Sequence, residues 1–171
     1  MTAPNEVLQQ IFAAADGEIV GRIRLQKIAY LLQQKAGGGG LFFTYHHYGP
    51  FSRELSDALD WAVMREDVEE TPRETGFGST YSAFRWKGPQ EEPADLVGRP
   101  AAPETKAIVA ELKTQPSVIL ELAATIHWLR VKEHARDWRE QLKIRKKLKA
   151  TESNIDRAEG VLRALGLAVG A

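Results

Sequence analysis

The sequence predicts an α+β fold that is mostly α-helical, with a small antiparallel β-sheet in its first half. Apolar residues recur at helical spacing in two N-terminal segments and again throughout residues 104–171. Between them, residues 41–86 hold an aromatic segment and two short runs that favour β-structure. The chain has 171 residues, of which 43% are apolar and 27% charged, so we expect one soluble globular domain.

Two helices are predicted at residues 4–15 and 22–35. Apolar side chains form one stripe on each helix: Val7, Leu8, Ile11 and Phe12 on the first, and Leu25, Ile28, Ala29 and Leu32 on the second. The second helix also has a polar face, formed by Gln26, Lys27, Gln33 and Gln34. Asp16-Gly17 ends the first helix, and the four glycines at 37–40 end the second because glycine loses much backbone entropy in a helix.

The next segment predicts a short strand, a third helix and a β-hairpin. The strand covers residues 41–48 and ends at Gly49-Pro50, after which Ser52 is placed to cap a helix that runs to about Asp67. Strands at 68–72 and 80–86 flank a turn rich in glycine, and this hairpin is expected to pair with the strand at 41–48. Three helices followed by a hairpin form a winged-helix-like arrangement.

The second half of the chain is predicted to be helical. The Pro-rich segment 88–103 is read as a loop between the halves, at residues 1–87 and 104–171. Helix four begins near Pro103, and Ser117 is expected to cap helix five. Asp137 and Glu140 resemble a capping box for a basic helix at 136–149, and Ser153 is expected to cap a last helix that stops at Gly166.

Several classes of protein are disfavoured by what the sequence lacks. There is no cysteine, which excludes disulfides and thiolate sites and fits a reducing cytosol. No secretory signal and no apolar run of about 20 residues is present, so we expect a cytoplasmic protein without a membrane partner. The four histidines have no spacing typical of a metal site, and no P-loop or nucleophile-elbow motif occurs. We therefore predict no metal, no cofactor and no enzymatic activity.

Charge is distributed unevenly along a chain whose net charge is zero. Residues 51–75 carry a net charge of −5, and residues 130–149 a net charge of +6. Such asymmetry can direct a charged partner to one surface. A basic partner is expected to contact Asp57, Asp60, Glu66 and Asp67, and an acidic partner Arg139, Lys143, Lys146 and Lys147, which are placed on roughly one side of the basic helix. Phe77, in the hairpin turn, is a further candidate contact because aromatic side chains often anchor interfaces.

Two stretches carry a resemblance to a known family. They are "LQKIAYLLQ" at 25–33 and the segment "YGPFS" at 48–52 followed by "LSDAL" at 55–59, with "LELAATIHWLR" and "NIDRAEGVLRALGL" later in the chain. This pattern resembles the Panacea (SocA-like) antitoxin domain and the related YwgA-like proteins. The resemblance implies an antitoxin that neutralises a toxin, encoded by a neighbouring gene, through direct protein contact. It does not predict the identity of that toxin or the oligomeric state.

A winged-helix-like regulator that binds DNA or RNA is the alternative. The helix that would enter a nucleic-acid groove, at 53–67, is acidic, which opposes contact with phosphates. The basic helix at 136–149 supplies the cations that such binding needs. Nucleic acid is therefore the less favoured partner.

Overall fold

The computed structural model describes residues 3–37, 40–89 and 103–168 and confirms the predicted α+β, mostly α-helical class. The N-terminal half contains α1 (Pro4–Ala14), β1 (Glu18–Val20), α2 (Arg22–Lys35), β2 (Thr44–His46), β3 (Gly49–Phe51), α3 (Arg53–Met64), β4 (Val68–Glu74) and β5 (Thr80–Trp86). The C-terminal half contains α4 (Pro103–Leu112), α5 (Ser117–His127), a π-helical turn (Trp128–Lys132), α6 (Trp138–Lys146), a 3₁₀ turn (Lys147–Lys149) and α7 (Glu152–Ala164). Most of the predicted Pro-rich loop, residues 90–102, lies outside the described residues.

The three-stranded sheet has the order β1-β5-β4, with all pairs antiparallel. Ile19 of β1 lies opposite Phe84 of β5, and both side chains are buried. The predicted hairpin is confirmed, but its predicted pairing with residues 41–48 is wrong, because the three-residue β1 takes that position. A strand of three residues gives no alternation of apolar and polar positions that a sequence could reveal.

Residues 44–51 form a separate two-stranded hairpin, β2–β3, so the prediction that Gly49-Pro50 ends the strand is wrong. The chain turns at His47-Tyr48, and Gly49 then pairs with His46. Gly49 adopts a φ of +92°, a left-handed value that favours glycine. Pro50 is tolerated in a hairpin of two strands because each strand is an edge, where a missing N–H removes no ladder bond.

The face of α2 that is polar in sequence is buried in the structure, and it holds the residues around the β2–β3 hairpin. Gln26 makes two hydrogen bonds with the backbone of Ser52: its Nε2 donates to the carbonyl oxygen at 2.9 Å, and its Oε1 accepts from the amide at 2.8 Å. Gln33 binds the backbone of Leu41 in the same reciprocal way, at 2.8 and 3.1 Å. Buried amides need such partners, and each pair fixes the path of the extended chain against α2.

The core is continuous across the two halves of the described chain. Helix α5 is buried along most of its length and packs against α2, α6, α7 and β3. The segment that carries β2 and β3 therefore lies between helices from both halves. The β2–β3 hairpin is thus held in place by α2 on one side and by α5 on the other.

Of the predicted helix caps, the one at Ser52 is confirmed and three are wrong. Ser52 Oγ accepts from the Leu55 amide at 3.3 Å. Helix α5 starts after Pro116, and α7 is capped by Thr151, which accepts from the Asn154 amide. Asp137 makes no cap bond and accepts from the Gln141 side chain instead. The errors at Ser117 and Ser153 are shifts of one and two residues, whereas Asp137 does precede the first residue of α6 but lacks the cap hydrogen bond.

Gly49 is the position at which a single methyl group is expected to disturb the hairpin most. A Cβ on Gly49 would lie 2.7 Å from Thr125 Oγ1 of α5, and the φ of +92° disfavours any side chain. We expect Gly49→Ala to lower the free energy of unfolding, measured by urea denaturation, by about 2–4 kcal/mol. This loss combines the cost of backbone strain with that of steric overlap.

Gly78→Ala is the matched control, because Gly78 has a φ of +80° but no atom near its Cβ position. The control isolates the cost of backbone strain. An equal loss of stability in both variants would show that contact with Thr125 contributes nothing. We expect the double variant Gly49→Ala/Thr125→Ala to be more stable than Gly49→Ala, because the overlap with Thr125 is removed.

Candidate functional site

Helix α3 presents a mixed acidic and apolar surface to solvent. Asp57, Asp60, Trp61 and Met64 lie at i, i+3, i+4 and i+7, which places them on one side of the helix. The opposite side, with Leu55 and Leu59, is buried in the core. Trp61 is 57% exposed and Met64 is 71% exposed, although large apolar side chains at helical spacing usually face a core.

The acidic surface continues into the turn after α3. Glu66 is exposed, and Asp67 is half-buried at the start of the hairpin. A shallow groove beside them is lined by Val63, Val68 and Pro72 with carboxylates at its edge. We call the set Asp57, Asp60, Trp61 and Met64 the α3 face. The structure thus brings two of the four predicted acidic contacts onto one side of a helix with two apolar side chains that were not predicted, whereas Glu66 and Asp67 follow the helix.

Ion pairs neutralise part of this surface. Arg22 lies 2.8 Å from the Asp60 carboxylate, and Arg65 lies 3.0 Å from that of Asp67. Both pairs are solvent-exposed to a large degree, so each is worth little and can exchange for a partner's cation.

The basic helix differs from its prediction in length and in orientation. Helix α6 ends at Lys146, and Lys147 has a φ of 48° that starts the 3₁₀ turn. Arg139 pairs with Glu152 and Glu159 of α7, both at 3.1 Å, and Lys143 pairs with Glu152 at 2.5 Å. Lys143 holds the pKa of the Glu152 carboxyl below its usual value. Two of the predicted contacts therefore already have acidic partners within the protein.

Lys146 and Lys147 do not share a surface. The Lys146 side chain is buried, whereas Lys147 is exposed in the 3₁₀ turn. Phe77, at the tip of the β4–β5 hairpin, is fully exposed. Trp86, at the end of β5, packs against Phe12 with a distance of 5.8 Å between ring centroids.

A buried cluster of charged residues beneath the β2–β3 hairpin was missed in the sequence analysis. Glu121 of α5 accepts from Lys146 at 2.9 Å and from Lys149 at 3.0 Å. Lys146 Nζ also donates to the carbonyl oxygen of His47 at 3.1 Å, and Lys27 Nζ donates to that of Pro50 at 2.6 Å. The two lysine side chains thus bind one backbone carbonyl oxygen in the hairpin turn and one in β3. These residues are far apart in sequence, so no local motif could have indicated the cluster.

Tyr30 and His127 form a second buried polar pair. Tyr30 Oη and His127 Nδ1 are 2.7 Å apart, and both side chains lie in the core. Burial, with a smaller contribution from the charge of Lys132, lowers the pKa of His127 to about 4. Burial also raises the pKa of Tyr30 above its usual value. Both groups are therefore neutral at neutral pH.

This histidine is expected to make folding stability depend on pH. The unfolded chain binds a proton at His127 near pH 6.5, whereas the folded chain binds it only near pH 4, so the stability is complete above pH 6.5 and is lost as the pH falls through 4. We expect a loss of about 3 kcal/mol between pH 6.5 and pH 4 in urea denaturation. His127→Gln should lose this dependence, and the exposed His134→Gln should keep it. The same slope in both variants would contradict the assignment.

Within the described residues, no group of three or more His, Cys, Asp or Glu side chains could hold a metal ion. Nor is any helix in residues 3–37, 40–89 or 103–168 both long and apolar enough to cross a membrane.

No family model matches the chain. It is 27% identical over 160 residues to "Uncharacterized protein YwgA" of Bacillus subtilis (strain 168), which covers 92% of this chain and 93% of that protein. It is also 32% identical over 147 residues to "DNA ADP-ribosyl glycohydrolase" of Thermus aquaticus (strain ATCC BAA-2747 / Y51MC23). That match covers 81% of this chain but spans only 39% of the relative. The predicted similarity to YwgA-like proteins is confirmed.

The prediction that the chain is not an enzyme is wrong as a conclusion, because the relative that is 32% identical bears the name of an enzyme. The prediction depended on the absence of catalytic motifs. Catalytic groups need proximity in space, not in sequence, so the absence of a local motif does not exclude an enzyme. The chain is thus similar over most of its length to a protein of unassigned function and to a part of a named enzyme.

Proposed function

We propose that this chain is an antitoxin-like module that binds a basic partner protein by direct contact through the α3 face. The observation that carries this proposal is the exposure of Trp61 and Met64 on the same side of α3 as the carboxylates of Asp57 and Asp60. Aromatic and apolar anchors surrounded by complementary charge are typical of interfaces, where the anchors supply affinity and the charges supply orientation and speed of association.

The resemblance of "LQKIAYLLQ" and "YGPFS" to the Panacea (SocA-like) domain supports an antitoxin role within this proposal. The partner is then a toxin encoded by a neighbouring gene, and the α3 face covers the basic surface with which that toxin acts. Exposed Phe77 and Lys147 lie outside the α3 face and are additional candidate contacts.

A regulator that binds DNA or RNA is the second candidate. The name of the Thermus aquaticus relative places that protein's own activity on DNA, which favours this candidate. Against it, the exposed side of α3 is acidic, and Arg139 and Lys143 are paired with α7 carboxylates. Phosphate contacts require cations that are available at the surface.

The proposal is tested by co-expression of the chain with the product of its neighbouring gene. We expect that product alone to arrest growth, the wild-type chain to restore growth, and a tagged chain to retain the product at moderate salt after nuclease treatment. Growth arrest that the chain does not relieve, or recovery of the product only while nucleic acid is intact, would contradict antitoxin action by direct protein contact.

A further inference from the structure

A cavity of about 230 Å³ lies between α2, α3 and the β2–β3 hairpin. Its wall is mainly apolar, with a few polar side chains; the lining includes Ile23, Leu25, Lys27, His46, Phe51 and Leu59. A mostly apolar cavity with a few convergent polar groups is the usual form of a small-molecule site. Its volume is below the roughly 300–1,000 Å³ of sites for drug-sized ligands, so it suits a small compound.

Lys27 is the unusual member of this lining. Its side chain is 1% exposed, and Nζ lies 2.6 Å from the Pro50 carbonyl oxygen and 3.9 Å from the position of a Cβ on Gly49, which also lines the cavity. In the part of the chain that the structure describes, no carboxylate forms an ion pair with Lys27. The carboxylate of Glu121 is engaged by Lys146 and Lys149 instead.

These surroundings favour the neutral amine. Burial lowers the pKa of Lys27 to about 7; the charge of Glu121 opposes this effect, and that of Lys146 adds to it. Arg22 and His46 line the same cavity, and neither supplies a negative charge. With this pKa, about half of the Lys27 amine is deprotonated at pH 7, and the neutral form has the free electron pair with which lysines react with carbonyl compounds.

We propose that this cavity is a reactive-amine site in which Lys27 binds a small apolar aldehyde as an imine. The nitrogen electron pair adds to the carbonyl carbon, both amine protons pass to the carbonyl oxygen, and water leaves as the C=N bond forms. No oxidant, reductant or metal enters this step. An aldehyde fits better than a ketone because its carbonyl carbon is less crowded in a small cavity.

The test uses the full chain with benzaldehyde and sodium cyanoborohydride, which reduces each imine to a stable amine. Peptide mapping by mass spectrometry then follows modification of every lysine from pH 6 to pH 9. We expect Lys27 to be the most modified lysine at pH 7, with a rate that stops rising near pH 8. Exposed Lys147 should be modified at least tenfold less at pH 7 and should continue to rise up to pH 9.

Pyrene-carboxaldehyde is the size control: it is too large for the cavity and should modify Lys147 but not Lys27. Lys27→Met should remove the dominant adduct, and Lys147→Met should leave it. The wild-type pH profile needs no variant, so it remains decisive even where Lys27→Met does not fold. Absence of a Lys27 adduct while exposed lysines react, or a Lys27 rate that rises through pH 9 like that of Lys147, would overturn the proposal.

Discussion

Replacement of Trp61 and Met64 by alanine is expected to weaken binding of the partner protein by at least about 30-fold. Both side chains are exposed on α3 and lie beside the carboxylates of Asp57 and Asp60. Interface anchors of this kind commonly contribute 2 kcal/mol or more, which corresponds to that factor. Isothermal titration calorimetry with the purified partner measures the loss. Because neither side chain belongs to the core, the unfolding temperature should change little.

Ile144→Ala with Leu148→Ala provides the matched control. Those two apolar side chains are 67% and 95% exposed in α6 and the following 3₁₀ turn, on the basic segment of the chain. Their removal should leave affinity within about threefold of wild type. If the control pair lost as much affinity as the α3 pair, the basic segment and not the α3 face would be the interface.

Charge reversal at Asp57 distinguishes an effect on the association rate from an effect on the dissociation rate. Asp57→Lys should slow association with a basic partner and reduce its salt dependence, while dissociation changes less, because charges at the rim of an interface act mainly on the rate of association. Surface plasmon resonance at two salt concentrations distinguishes the two rates. Faster association of Asp57→Lys would indicate an acidic partner and would contradict the proposed chemistry.

The largest effect on stability is expected at Glu121. Its carboxylate is 3% exposed and is the acidic partner of the buried Lys146 and of Lys149. Glu121→Gln preserves the shape of the side chain but leaves a buried ammonium without its counter-charge, which typically costs about 3–5 kcal/mol. Urea denaturation at pH 7 measures this loss. The β2–β3 hairpin, whose His47 carbonyl oxygen accepts from Lys146, should be affected first.

Two further variants show whether the loss arises from the unpaired charge. Glu111→Gln removes a carboxylate from an exposed position of α4 and should change stability by less than about 0.5 kcal/mol. Glu121→Gln combined with Lys146→Met removes both buried charges and should recover a large part of the loss. A Glu121→Gln variant as stable as wild type would show that the cluster is not a stabilising ion pair.

The parts of the fold that could be predicted from sequence are those with a local signal. Helix α2 has the predicted bounds because a periodic apolar stripe precedes a run of glycines, and α3 begins at the predicted cap, Ser52. The β4–β5 hairpin was likewise predictable, because two segments that favour β-structure flank a turn. In each case the residues that determine the element lie within the element or next to it.

Features that arise only from tertiary contact were not predictable. β1 has three residues and is defined by its pairing with β5. The inward orientation of Lys27 and Lys146 follows from Glu121 and from the carbonyl oxygens of the β2–β3 hairpin, and the contact between Lys146 and His47 joins positions 99 residues apart. Trp61 and Met64 are apolar residues of types that are common in protein cores, and their exposure is apparent only from the position of α3 at the surface.

The central claim is that the α3 face contacts a protein partner. Site-specific photo-crosslinking in the native host tests this contact most directly. A photoreactive phenylalanine analogue is placed at position 61 of the full chain, in the centre of the α3 face, or at position 144, on the basic segment, as the control. We expect one crosslinked protein, the product of the neighbouring gene, from position 61 and none from position 144. Crosslinking of that protein from position 144 and not from position 61 would contradict the claim.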